Sequence, residues 1–172
     1  MKKPRLNRFT FISALSVFLL FCISSVFPVL AGTRDVLNAV DAVELRMKSV
    51  ADRIHNWMEP GSKEFKSSKL LMDELRKMSY TVTGDLLVPA DLVEDGVAKT
   101  AFKAELKGKR SGPTITIMLE YDALPHGHAC GHNLIAGSGM LAAAALAKLM
   151  PNLPGTVRVV GTPDEERGSL GG

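Results

Sequence analysis

The sequence predicts an α/β fold, a largely parallel sheet with flanking helices, and three observations in its second half predict it. A β-branched run, Thr114 to Leu119 (TITIML), precedes an alanine-rich apolar stretch of helical length, Leu134 to Met150, and a second β-branched run follows at Thr156 to Val160 (TVRVV). Strand, helix and strand at these lengths form a βαβ unit, and such units build parallel sheets covered by helices. Sites in these sheets gather beyond the carboxyl ends of the strands. The two polar clusters of this half, 120–132 and 161–166, stand at such ends.

The chain opens with a segment that is not part of the domain. Lys2, Lys3, Arg5 and Arg8 are followed by an apolar run from Phe9 to Phe27, and Val29 and Ala31 place small side chains where a signal peptidase reads. Residues 1–31 therefore read as a secretory signal peptide, with 32–172 exported to the periplasm or beyond. The competing reading is an uncleaved membrane anchor over residues 9–31, long enough to span a bilayer at a modest tilt. Ser13, Ser16, Ser24, Ser25 and Pro28 interrupt the run and favour cleavage, so membrane contact is expected only if the leader is kept. Phe21 before Cys22 excludes a lipoprotein signal.

At 46% apolar and 23% charged residues the 172-residue chain has globular rather than disordered composition. Its net charge of +3 belongs to the leader; the remainder carries 17 basic against 18 acidic residues, and nothing suggests nucleic-acid binding. The 141 residues after the leader suffice for one modest core. They hold a single cysteine, Cys130, so no internal disulfide can form.

Apolar residues at Val36, Val40, Val43, Met47, Val50, Ala51 and Ile54 predict one amphipathic helix over Val36 to Trp57. Glu59 to Ser62 punctuates it, with Ser62 as the N-cap of a second helix over Lys63 to Met78 that has a basic outer face. Tyr80 to Val88 and Val97 to Leu106 read as short strands around a polar turn at Asp91 to Gly96. Thr114 to Leu119 is expected to be buried, and Asn133 to cap the helix after it. The alanines at 142–145 point to close helix packing.

The densest chemistry lies in His126-Gly127-His128-Ala129-Cys130-Gly131-His132. Imidazole nitrogen and thiolate sulfur are preferred zinc donors, and Cys-x-His lets both converge on one ion if Gly131 permits a tight bend. The plainer alternative is a solvated loop with a buried free cysteine. Asp164-Glu165-Glu166 alone would be solvated surface, but beside a metal one carboxylate can ligate while its neighbour moves a proton. Glu120-Tyr121-Asp122 offers a carboxylate that could bridge metals or fix a ligand histidine. No HEXXH, Ser-His-Asp set or glycine-rich phosphate loop is present.

The run EYDALPHGHACGHNLIAGSG, with GTPDEE some thirty residues on, resembles the metallopeptidase family of hippurate hydrolases, aminoacylases and auxin-conjugate amidohydrolases. Its form is most similar to the aminobenzoyl-glutamate hydrolase and Xaa-Arg dipeptidase branch, which His55 to Glu59 and Lys99 to Phe102 also fit. The resemblance implies a zinc-peptidase-like catalytic domain holding one or two divalent ions, zinc first, with manganese or cobalt as alternatives. Cys130, His132 and Glu166 would be the metal ligands, Glu165 the general base and acid, and Asp122 a supporting residue near the metal. The implied activity is hydrolysis of amide bonds in small peptides or N-acyl amino acids. Family enzymes continue well past a position such as Gly172 into a lid that often dimerises. This chain is thus expected to be the N-terminal part, lid absent, with little activity of its own, and homodimerisation is left open for a full-length enzyme. Arg167 stands where the family prefers glycine, Asp164 replaces a small residue, and His126 is an extra donor expected at the surface. Two rivals remain: a non-catalytic remnant that binds metal or a partner, and a thiol-based redox or hydrolytic protein using Cys130. The second has no resolving cysteine and leaves the carboxylates unexplained.

Overall fold

A computed structural model of the chain describes residues 32–87 and 97–167. The leader and the polar turn expected at Asp91 to Gly96 lie outside the described residues. Contacts group the chain from Asn38 onward into one unit, which contains the sheet and the candidate site described below.

The amphipathic stretch expected as one helix is two. Residues 32–41 are helical (α1), and the amide of Val43, at φ −129°, bonds to Val40 O in a tight turn before α2, Glu44–Trp57. The apolar face survives the break, since Met47, Val50, Ala51 and Ile54 of α2 are buried. The next helix, α3, runs Phe65–Lys77, and Ser62 does not cap it. The carboxylate of Glu59 instead accepts from the amides of Lys66 and Ser67 at 2.9 and 2.8 Å. A full negative charge satisfies the orphan donors of a helix N-terminus better than a hydroxyl does. The Ser62 hydroxyl is thereby released to another partner.

Strands β1 (Thr81–Leu87), β2 (Val97–Lys107), β3 (Arg110–Leu119) and β4 (Pro154–Gly161) form a sheet in the order β1-β2-β4-β3. The α/β architecture with flanking helices is as expected, but the pairing is mixed. Only β3 and β4 run parallel, joined through α4 (His132–Leu149), while β1–β2 and β2–β4 are antiparallel. A parallel pair needs a crossover, and the described strands contain a single one, through α4.

The second difference concerns β3. Its β-branched run was expected to be buried, yet Ile115 and Met118 are 60% and 53% exposed, and of 114–119 only Leu119 is buried. Among the described residues β3 is the end strand of the sheet, with β4 on one side. Strand-forming residues follow the pleat whether or not a second neighbour covers them. Central β4 shows the alternation of a half-covered strand, burying Gly155, Val157, Val159 and Gly161. Helix α4 lies against this core through Ala136, Met140 and Ala143 to Ala145, so the alanine run does serve close packing. Among the described residues no helix is long and apolar enough to cross a membrane.

Candidate metal centre

Two chain segments leave the parallel pair at the same edge. Beyond β3 come Glu120, Tyr121 and Asp122; Tyr121 is fully buried, stacks on Phe102 at 6.1 Å between ring centroids, and donates its hydroxyl to Thr100 O. That anchor fixes the backbone from which the two flanking carboxylates project. Burial raises the Tyr121 pKa well above normal, with the charges of Glu64 and Asp122 adding to it, so the phenol stays a donor. Beyond β4, Thr162 N donates to Leu119 O at 2.9 Å and ties the two exits together.

The histidine arrives from the helix. Gly131 takes φ 83° and acts as the N-cap of α4, and its carbonyl accepts from Leu134 N and Ile135 N at 2.8 and 3.0 Å. An L side chain rarely adopts that conformation, so glycine is what lets the helix begin here. Asn133, the expected cap, is instead buried within the first turn. His132 becomes the first helical residue, and its ring is held against the sheet exit.

His132 is 4% exposed and Asp122 0%, and His132 Nδ1 lies 2.7 Å from Asp122 Oδ1. The other Asp122 oxygen accepts from Glu166 N at 2.8 Å. One buried carboxylate therefore binds the imidazole and the loop that carries the paired glutamates. The other ring nitrogen, Nε2, faces Glu120 at 3.5 Å, Glu165 at 3.6 Å and Glu166 at 3.9 Å. These separations are too long for hydrogen bonds. Carboxylates converging on an imidazole nitrogen call for positive charge among them, supplied by a proton on the ring or by a bound cation. Nitrogen and carboxylate oxygen are donors suited to zinc-like divalent ions. Atoms of His132, Glu165 and Glu166 all lie within 4.8 Å of one another, and the residues fit a divalent cation.

Cys130 is joined to this cluster rather than inside it. Its thiol is exposed and hydrogen-bonded to Glu166, and that bond, followed by the surrounding carboxylate charge, raises its pKa. His126 is exposed, as expected. His128 is engaged elsewhere, with Nε2 3.2 Å from Ile54 O and its ring 6.0 Å from that of His55; burial lowers its pKa. Two carboxylates escaped the sequence reading. Glu59 caps α3, and Glu64, fully buried, accepts from Thr100 Oγ1 at 2.9 Å and from Asp164 N at 2.8 Å. No local pattern around residues 59–64 signals a partner a hundred residues away.

The profile of peptidase family M20/M25/M40 matches residues 117–172, the stretch that supplies every residue of this cluster. The match covers about a third of the chain. Over a longer stretch, the chain is similar to a component of the p-aminobenzoyl-glutamate hydrolase of Escherichia coli, 32% identical over 157 residues that cover 79% of this chain and 30% of that protein. It is also similar to Xaa-Arg dipeptidase of Mus musculus, 49% identical over 79 residues covering 40% of this chain and 18% of that one. Among solved structures, a Bacillus subtilis protein described as a dinuclear metal-binding peptidase of family M20 superposes with a TM-score of 0.59 at 28% identity, over 73% of this chain and 37% of that one. The chain spans about a third or less of the length of the curated relatives it matches.

Proposed function

We propose that this chain carries the metal-binding half-site of an amidohydrolase acting on dipeptides or N-acyl amino acids. The observation that carries the proposal is the His132 imidazole, tied at Nδ1 to buried Asp122 and facing Glu120, Glu165 and Glu166 through Nε2. The names of its relatives, an aminobenzoyl-glutamate hydrolase and a Xaa-Arg dipeptidase, support amide hydrolysis as the reaction. His132 and Glu166 would hold the ion, with Cys130 joining them by exchanging its hydrogen bond to Glu166 for the metal. A bound divalent ion, zinc first and manganese or cobalt as alternatives, would polarise the scissile carbonyl and acidify water.

The chain's own residues divide the remaining work. Asp122 fixes the ring orientation and tautomer of His132. Glu165, with a side chain 44% exposed against 13% for Glu166, is the carboxylate free to move. It would take the proton from the attacking water as the C–O bond forms and return it to the departing amine as the C–N bond then breaks. Zinc titration of the folded chain, with hydrolysis of N-acetyl amino acids and dipeptides followed in parallel, tests the proposal. Stoichiometric uptake that is lost in His132→Ala supports it; a folded chain that takes up no divalent ion overturns it.

We propose further that residues 1–31 direct export. Four cations ahead of an uncharged apolar run support this, and mass spectrometry of the exported protein tests it. Cleavage after Ala31 is expected; a full-length chain held in the membrane would instead favour an anchor over residues 9–31.

A further inference from the structure

The segment from Glu59 to Glu64 touches both site-bearing loops. Glu59 O accepts from Ala123 N at 2.9 Å, next to Asp122. At its other end the segment converges on Asp164, the residue before Glu165. Glu64 Oε1 accepts from Asp164 N at 2.8 Å, and Ser62 Oγ donates to Asp164 Oδ2 at 2.6 Å. A Cβ on Gly61 would overlap the Asp164 carboxylate, so only glycine lets the chain pass so closely. Asp164 itself sits at φ 67°, a left-handed conformation that aspartate and asparagine tolerate better than most residues.

The segment is well founded for holding something else in place. The Glu59 carboxylate is locked onto Lys66 N, Ser67 N and the Ser67 hydroxyl, and buried Glu64 is bound to Thr100 Oγ1 on β2. Asp164 stands where the related motif has a small residue, and none of the roles assigned above uses it.

We propose that Gly61, Ser62 and Glu64 form a clamp that holds Asp164 in its left-handed turn and so positions Glu165 and Glu166 opposite His132. These are positioning residues, acting through Asp164 and touching neither ion nor substrate. The clamp rests on the metal-site reading above. A loop free to leave the left-handed conformation would swing both glutamates away from Nε2, so loss of the clamp should appear in metal affinity and ligand geometry before it appears in folding.

Cobalt(II) titration of the purified chain, read by visible absorption together with thermal unfolding, tests it on three variants. Ser62→Ala keeps every charge and removes one clamp bond; its cobalt affinity should fall about fivefold. Asp164→Ala loses both the acceptor and the left-handed preference, and should bind about 10–100-fold more weakly with an altered absorption envelope. Asp164→Asn keeps both and loses only charge, so it should recover binding to within about threefold of the parent. If the parent binds cobalt while Ser62→Ala and Asp164→Ala match it within about twofold, the clamp is wrong and the metal site stands. If Asp164→Asn is as weak as Asp164→Ala, charge rather than conformation is responsible and the clamp is again wrong. If the folded parent binds no cobalt, the metal reading fails and the clamp's role fails with it.

Discussion

Asp122 and His132 are bonded at 2.7 Å, and the same carboxylate takes the backbone amide of Glu166 at 2.8 Å. A residue at the exit of β3 thus sets the orientation of a helix side chain and the position of the loop beyond β4. The β3 exit, the α4 N-terminus and the β4 exit meet at one buried group, and most of what the site can do depends on it.

Replacing Asp122 by asparagine leaves one acceptor oxygen where the carboxylate serves both His132 Nδ1 and Glu166 N, so one of the two contacts is lost. Divalent-ion affinity is expected to fall about 10–100-fold, as for other residues that orient a ligand histidine. Isothermal titration with zinc checks this; parent-like affinity in the variant would detach Asp122 from the site.

On the proposed mechanism, Glu165→Gln removes the proton carrier while leaving His132 and Glu166 in place. Any amide hydrolysis should fall by about 10²–10⁴-fold while ion uptake persists. Equal losses of uptake and turnover would make Glu165 a ligand rather than the base.

The Cys130 thiol should resist alkylation in the ion-free chain. Glu166 and its neighbours penalise the thiolate, so its pKa is raised and less of it is reactive at a given pH. The pH profile of iodoacetamide labelling is expected above that of a free cysteine, and to move down in Glu166→Gln. A profile matching free cysteine in the parent would place the thiol away from the carboxylates.

Glu74 joins α3 to α2. Its side chain is 8% exposed, and it accepts from Arg46 Nε and Lys77 Nζ at 2.7 Å each. Burial pushes its pKa up, but the bonds from Lys77 and Arg46 outweigh that and the net shift is downward. The resulting stabilisation is present above the ordinary unfolded carboxyl value near 4.5 and disappears as pH falls through the lowered folded value. Glu74→Gln should cost about 1 kcal/mol at neutral pH, because Arg46 and Lys77 are 46% and 61% exposed and largely screened. Urea unfolding across the acid range should show parent and variant converging; a gap independent of pH would assign the loss to packing.

Gly137 of α4 faces α2 so closely that an added Cβ would lie 2.6 Å from that of Ala51. Alanine gains about 1 kcal/mol of helix propensity over glycine, while overpacking costs about 1–3 kcal/mol. Gly137→Ala is expected to be destabilising by about 1 kcal/mol, seen as a lower urea midpoint. A higher midpoint would mean that the two helices separate easily.

Several of these features were legible along the chain. His132, Glu165, Glu166 and Asp122 each stand within a short polar run at a strand exit, so their nearness follows from the βαβ connection. The alanines of α4 announce close packing, and Gly131 beside His132 announces a bend. The sheet was less legible. TITIML in β3 reads as a buried strand, but the same residues suit an edge whose outer face is open, and no composition distinguishes the two. The Ser62 cap failed for a related reason, since Glu59, just upstream, is a stronger acceptor for the same amides.

The amino-acid order alone therefore determined the β3–α4–β4 unit and the set of groups able to meet a cation, because hydrophobic period and residue chemistry are local properties. Tertiary structure decided which groups meet: the mixed pairing of the sheet, the open face of β3, the place of Cys130 beside Glu166, and the reach of Ser62 and Glu64 to Asp164. Those contacts join residues far apart in the chain, and their free energy depends on distances that exist only once strands and helices have packed.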